Sequence, residues 1–272
     1  MLKLFRYLKP YWLPVVVILG LIYLQASAEL YLPTLMADIV DKGIFKKDTD
    51  YIWAVGREML LVASGGMALA IVSMYLSGRV ASAFGRDLRS KVFSRVTSFS
   101  LHEFDQIGTA TLITRTTNDI TQVQQVMVMI LRIMVFAPMM SIGGIVHAVQ
   151  KDATLSWLIV VVIPVLLGVI GLLAAKGVPL FTVMQKKVDR LNLVVREGLT
   201  GIRVIRAFNR LEHESKRFQE ANEDLTATAV KVNIIMATMM PAMMIIMNFT
   251  TIAIIWFGGI RIDNGEMQVG DL

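Results

Sequence analysis

The side chains able to do chemistry in this sequence are few and scattered. Histidine occurs at His102, His147 and His213 and cysteine is absent. A zinc centre draws on closely spaced His and Cys ligands, so no metal site is expected. Without cysteine there is neither a thiolate nucleophile nor a disulfide framework. No G-x-x-x-x-G-K-[ST] phosphate-binding loop occurs, so this chain by itself is not expected to bind or hydrolyse ATP.

What remains are ionisable and polarizable groups set inside apolar sequence. Glu29 lies deep in the first apolar run, and Arg132 about two turns from the edge of the third. A charge at such depth is costly unless it is paired or faces water. Glu29 can read a cation, carry a proton or pair with a neighbouring helix. Arg132 can line an aqueous path or snorkel its head group to the membrane edge. Met236, Met240, Met243 and Met247 recur at helical spacing beside Asn233 and Asn248. Such a thioether stripe suits promiscuous apolar ligands, although ordinary helix packing produces the same spacing. These six residues are the candidate translocation path. Asp38 and Asp41, at the end of the first run, are candidates for an outer gate, with simple exposure as the alternative.

The elements that must position these groups are membrane helices. Of the 272 residues 55% are hydrophobic, and the mean hydropathy is +0.62. A span needs about 20 apolar residues to cross about 30 Å of hydrocarbon. Tyr11–Leu35, Met59–Gly78, Val126–Val149, Leu155–Ala175 and Val232–Gly259 satisfy this, and an all-α membrane protein with five spans is expected. Pro138, Pro164 and Pro241 fall inside three of them and are expected to kink them. Ser73/Ser77 and Gly144/Ala148 are small pairs that let helices approach closely.

The formal charge of +6 is topological. With the N-terminus inside, Lys3, Arg6 and Lys9 and the basic clusters of 79–115 and 176–231 all fall on the cytoplasmic side. Lys42, Lys46, Lys47, Lys151 and Arg261 fall outside. This is the positive-inside pattern, and nucleic acid is not an expected partner. Residues 1–30 also imitate a signal peptide, with Ala26-Ser27-Ala28 as its cleavage site. Apolar sequence resumes at Leu30-Tyr31-Leu32, so an uncleaved first helix is expected. Leu2 through Lys9 mixes apolar and basic residues in the manner of a short helix lying on the inner membrane surface.

Two inner segments, 78–125 and 176–231, are long and polar yet keep helical periodicity. Leu88, Val92, Phe93 and Val96 mark one face of the first. Val188, Leu191, Val195, Leu199, Ile202, Ile205 and Phe208 mark one face of the second. They read as membrane helices continued into water as arms that turn and return. Gly108 is the evident breaker in the first arm, and FNRLEHE (208–214) is the expected turn of the second.

The stretches GRDLRSKVFSRVTSFSLHEFDQIGTATLITRTTNDITQVQQV (85–126) and NLVVREGLTGIRVIRAFNRLEHESKRFQEAN (192–222) resemble the intracellular loops of six-helix, domain-swapped ABC exporters. Arg86, Arg89, Phe93, Phe104, Gly108, Arg115, Asn118 and Asp119 carry the likeness in the first loop. Glu197, Gly201, Ile202, Ile205, Phe208, Glu212 and Phe218 carry it in the second. RYLKPYW (6–12), IVDKGI (39–44) and IWFGGIRI (255–262) are similar to the same family, particularly to subunits of bacterial heterodimeric multidrug exporters. The resemblance runs through essentially the whole chain.

It implies a half-transporter in a bacterial plasma membrane, paired with a second, different half-transporter. Nucleotide-binding domains, in cis and in trans, would bind ATP and magnesium and grip short coupling helices at the loop tips, near Phe104–Leu112 and Phe208–Glu214. The coupling residues it implies are Phe104, Asp105, Gln106, Gly108, Arg115, Asp119, Phe208, Asn209, Arg210 and Glu212. Asp119 can instead cap or pair within its own arm. The substrates would be amphipathic drugs or lipids. The five spans leave DNGEMQVGDL outside, so the expected domain is an exporter transmembrane bundle with five of six spans and no nucleotide-binding domain. The alternatives are an ion-coupled secondary transporter using Glu29 and Arg132, and a membrane scaffold without transport.

Overall fold

The structure, a computed structural model, describes residues 6–272. The expected surface helix at Leu2–Lys9 thus lies largely outside the described residues. A 3-10 helix, Arg6–Tyr11, leads into α1, Trp12–Asp38, which runs on through a π-helical turn, Ile39–Ile44. There follow α2, Thr49–Thr97, the short α3, Leu101–Ile107, and α4, Thr109–Thr114. A second π-helical turn, Arg115–Asp119, joins α4 to α5, Ile120–Lys151. The chain continues with α6, Trp157–Thr200, the short α7, Ile202–Ala207, and α8, Leu211–Asp263. No strand occurs among the described residues.

Five continuous helices are long and apolar enough to cross a membrane: Tyr7–Ile44, Thr49–Thr97, Thr109–Lys151, Trp157–Thr200 and Leu211–Asp263. Four contain an expected span whole, and the fourth helix, Trp157–Thr200, begins two residues inside its expected span. A 49-residue helix such as α2 is about 74 Å long, more than twice the hydrocarbon thickness. The excess lies at the polar ends, so the arms are continuations of the spans. Pro138, Pro164 and Pro241 all sit inside helices that continue past them.

Local chemistry sets the breaks. The Asp48 carboxylate accepts the Tyr51 backbone N–H at 2.9 Å and starts α2. At the far end of the first arm, Gly108 holds a φ of 80° and separates α3 from α4. A Cβ in a left-handed conformation costs about 1–2 kcal/mol, and nothing else crowds the position. Gly108→Ala is therefore expected to destabilise the first hairpin by about that amount, read as faster amide exchange over 100–112.

The chain forms two compact units. The first comprises the residues up to 154 together with 261–272. Its core joins Ile18 and Ile22 of α1, Val80, Ala81 and Phe84 of α2, and Met127 and Leu131 of α5. Inside a bilayer such contacts are driven by close packing, which favours small residues at the seam. Ser73, Ser77 and Ala81, four apart on α2, are completely buried. The Ser73 hydroxyl donates back to the Ala70 carbonyl at 2.9 Å. A methyl group on Gly143 would collide with Leu30, whereas Gly144, expected at the seam, only grazes it. On the arm side the Tyr11 hydroxyl donates to Asp87 at 2.6 Å, and Lys91 lies 4.3 Å above the Tyr7 ring. These contacts bind the 3-10 helix to the base of the first arm.

The second unit, residues 155–260, is a long two-helix hairpin of α6 and α8 with α7 at its tip. Trp157 and Phe257 meet edge-to-face at 5.6 Å near its open end. Further along, Gly177 lets Ile235 approach the α6 backbone.

Candidate functional site

The first arm tip is built by a capping box. The Ser100 hydroxyl accepts the Glu103 backbone N–H at 3.3 Å, and the Glu103 carboxylate accepts the Ser100 N–H at 2.9 Å. α3 therefore begins three residues before Phe104, and Gly108 ends it. The expected Phe104–Leu112 segment is split: Phe104, Asp105 and Gln106 lie on α3, while residues 109–112 open the returning helix. Phe104 is half-buried, Asp105 and Gln106 are exposed, and Leu101 is 84% exposed. The Ser100 backbone N–H and then its hydroxyl hold the Glu103 carboxyl below its usual range. A lowered carboxyl contributes stability above its unfolded pKa and loses it as pH falls through the folded value. The tip is thus expected to stay capped through mildly acidic pH, and an NMR titration of the Glu103 carboxyl carbon should show a depressed midpoint that Ser100→Ala raises only in part, because the backbone N–H at position 100 is kept.

Arg115 and Asp119 sit on the return path, at the two ends of the π-helical turn. With Ala110, Thr111 and Thr114 they line a depression of about 300 Å³. The turn has a local cause. The hydroxyls of Thr114, Thr116 and Thr117 donate to the carbonyls of Ala110, Leu112 and Ile113, four residues back, at 3.0, 2.7 and 2.9 Å. Such back-bonds compete with the helix ladder and open it locally. Asp119 makes no side-chain capping hydrogen bond to α5.

At the second tip the chain turns where expected, within FNRLEHE, and a short helix precedes the turn. The short helix is Ile202–Ala207, and FNRLEHE divides into a turn, Phe208–Arg210, and the first turn of α8. Asn209 takes a φ of 52°. The Asn209 N–H donates to Arg206 and the Arg210 N–H to Ile205, at 3.2 and 2.9 Å. This pair of bonds is a Schellman closure, and asparagine is the residue after glycine that best tolerates its left-handed position. Phe208 projects from the tip with 75% of its surface exposed. Glu212, exposed, and Glu214 lie in the first turn of α8, where carboxylates complement the helix dipole.

Ion pairs stitch this arm together at two levels. Lys187 reaches Asp224 at 2.6 Å, and Glu197 reaches Arg217 at 2.8 Å, with Arg217 also 3.2 Å from Glu214. Of these ion-paired residues, only Glu197 carried the sequence resemblance. The partners Arg217, Asp224 and Lys187 lie on facing helices and leave no mark in one strand of sequence.

Of the candidate path residues, Glu29 and Arg132 belong to the first unit and the four methionines to the second. Glu29 is exposed and accepts a hydrogen bond from Gln25 at 2.9 Å, one turn earlier on α1. Arg132 is half-buried on α5, and no ion pair to it occurs among the described residues. Met236, Met240 and Met247 are exposed on α8 and Met243 is half-buried, in the second unit.

The two outer aspartates part company. Asp38 pairs with Lys42 in its own helix at 2.7 Å and bridges nothing. Asp41 accepts the Gly270 backbone N–H at 2.7 Å, across 229 positions of sequence. Around that contact lies a cluster the sequence reading missed. Lys151 pairs with Asp271 at 2.7 Å, and Arg261 pairs with Asp152 at 2.8 Å and Glu266 at 3.0 Å. Segment 261–272 is thereby strapped to the ends of α1 and α5 that lie opposite the first arm.

Long two-helix arms tipped by short helices are continuous with the apolar spans. Comparison with known proteins places the chain in a family. Residues 15–272 match the family described as the ABC transporter transmembrane region. The chain is 40% identical over 267 residues to an uncharacterized ABC transporter ATP-binding protein of Mycobacterium tuberculosis, covering 98% of this chain and 46% of that protein. It is 36% identical over 272 residues to the uncharacterized ABC transporter ATP-binding protein YfiB of Bacillus subtilis, covering 100% and 48%. It is 26% identical over 272 residues to an ATP-dependent lipid A-core flippase of Desulfotalea psychrophila, covering 98% and 47%. The chain spans about half the length of these relatives. With five membrane-length helices, their water-borne extensions and a family match over nearly every residue, this multi-pass chain belongs to the ABC transporter transmembrane region family.

Proposed function

We propose that the chain is the transmembrane part of an ATP-driven exporter that moves amphipathic drugs or lipids out of a bacterial cell. The carrying observation is the pair of arms. Each is continuous with membrane helices, and the tips expose Leu101 and Phe208 beside charged residues. Exposed large apolar groups framed by charge fit an anchored protein contact. Relatives named as ATP-binding proteins support nucleotide-binding domains, acting in cis and trans with ATP and magnesium, as the partner. A relative named as a lipid flippase supports amphipathic cargo. The excess of Lys and Arg on the arm side supports a cytoplasmic N-terminus. A second half-transporter, in a heterodimer, completes the reading.

In this mechanism closure of the nucleotide domains displaces α3 and the 202–210 tip, and the stitched helices carry the displacement to the spans as nearly rigid bodies. On the outer face Asp41, which accepts the Gly270 N–H, is the candidate gate residue. The test is transport by the full-length pair in proteoliposomes. ATP with magnesium should drive uptake of a fluorescent amphipath into inside-out vesicles, and collapsing proton and sodium gradients should leave it unchanged. Uptake that follows an ion gradient and ignores ATP would overturn the reading.

A further inference from the structure

The first unit contains a cleft that neither the arms nor the outer cluster uses. It lies between α1, α2 and α5, is open-sided, and measures about 920 Å³. Tyr23, Ser27 and Tyr31 form one wall, Gly65 and Leu69 stand on a second, and Ile142 and His147 on the third. Almost the whole lining is apolar. From Tyr23 to Tyr31 the cleft runs eight helical residues, about 12 Å, close to the depth of one leaflet of a 30 Å hydrocarbon core.

Its position along the helices matches that depth. Tyr23 is twelve residues into α1 from Tyr11, just beyond the midplane, and Tyr31 is near the end opposite the arm. Apart from the Tyr23 and Ser27 hydroxyls, the polar groups of the cleft gather at that end. The Tyr31 hydroxyl donates to Glu58 at 3.2 Å, and His147 stands one turn from Lys151. Tyrosines with hydroxyls at the head-group level are typical of a membrane interface. An apolar slot one leaflet deep with a polar rim has the chemistry of a single lipid: acyl chain inside, head group at the rim.

We propose that this cleft binds one acyl chain of a membrane phospholipid in the leaflet on the side away from the arms. The assignment of that leaflet as outer rests on the orientation proposed above; the binding itself does not. Gly65 offers a clean probe, because a Cβ there meets nothing within 4 Å. A side chain at that position starts in open space on the cleft wall.

The full-length protein is reconstituted in nanodiscs of phosphatidylethanolamine and phosphatidylglycerol that carry a phosphatidylglycerol with a diazirine in its acyl chain. After illumination, adducts are mapped by mass spectrometry. They are expected to concentrate on residues 23–31, 65–69 and 139–147. Gly65→Phe should lower them about tenfold, as when two buried methylenes no longer fit, while Gly65→Ala should not. Ser27→Phe, filling the cleft from the opposite wall, is a second variant should the first fold poorly. Adducts no denser in the cleft than on the exposed Leu60 and Leu61 would reduce it to ordinary lipid-facing surface. A cleft free of adducts beside a labelled Leu60 face would mean that another helix of the full protein covers it. Either result overturns the proposal. ATP-driven transport is not read in this experiment, so its failure leaves the exporter reading standing.

Discussion

Phe208→Ala in the full-length protein is expected to keep most of its ATP hydrolysis and to lose transport by about thirtyfold. That is the factor for an aromatic anchor worth about 2 kcal/mol at a protein contact. The expectation rests on where the ring sits. Phe208 is three-quarters exposed, so its removal takes nothing from the packing of the arm, and the Schellman closure beside it is made by backbone groups. Phe104→Ala makes the internal comparison. Phe104 is half-buried on α3, so part of its loss should appear as instability of the first hairpin instead of pure uncoupling. Hydrolysis and transport are measured on the same vesicles. A Phe208→Ala protein that transports normally would remove the second tip from the coupling contact.

Arg261→Ala is expected to cost about 3 kcal/mol in the first unit, the penalty for leaving a buried carboxylate without its charge partner. The Asp152 side chain is only 8% accessible and Arg261 22%, which sets this pair apart from its neighbours. Lys151 and Asp271 are 43% and 20% accessible, and Lys151→Ala should cost about 1 kcal/mol or less, because water screens that pair. The measurement is amide exchange over 264–272, which should accelerate strongly in Arg261→Ala and slightly in Lys151→Ala. Arg261→Met with Asp152→Leu should recover much of the loss, since no lone charge stays buried. If the two single variants exchange alike, the Arg261–Asp152 pair does not hold the strap.

Each part of the fold that was legible in the sequence follows from a local property. A run of apolar residues either is or is not long enough for the bilayer, and five runs gave five membrane-length helices. The arms were legible because helical periodicity persists after the apolar composition ends, as from Leu88 to Val96. Gly108 was legible because only glycine takes its conformation without strain. Gly108 and the FNRLEHE turn fell inside the two tips, but the short helices that precede them were not placed. Their bounds depend on weaker signals: the Ser100–Glu103 box in one case, Gly201 and the left-handed Asn209 in the other.

The pairings were not legible. Asp38 and Asp41 look alike in the sequence, yet one pairs within its own helix and the other reaches Gly270. Arg261 and Asp152 lie 109 positions apart, and neither is distinguished by its neighbours. The cleft between α1, α2 and α5 lies past the level at which the three helices meet at Ile22, Phe84 and Leu131, and no single stretch of sequence marks it. By itself the sequence determined that five helices cross a membrane and that two pairs of them extend into water, because hydropathy and periodicity act residue by residue. Only the tertiary structure decided which charges meet and where space is left, because those depend on the rotation and register with which one helix lies against another.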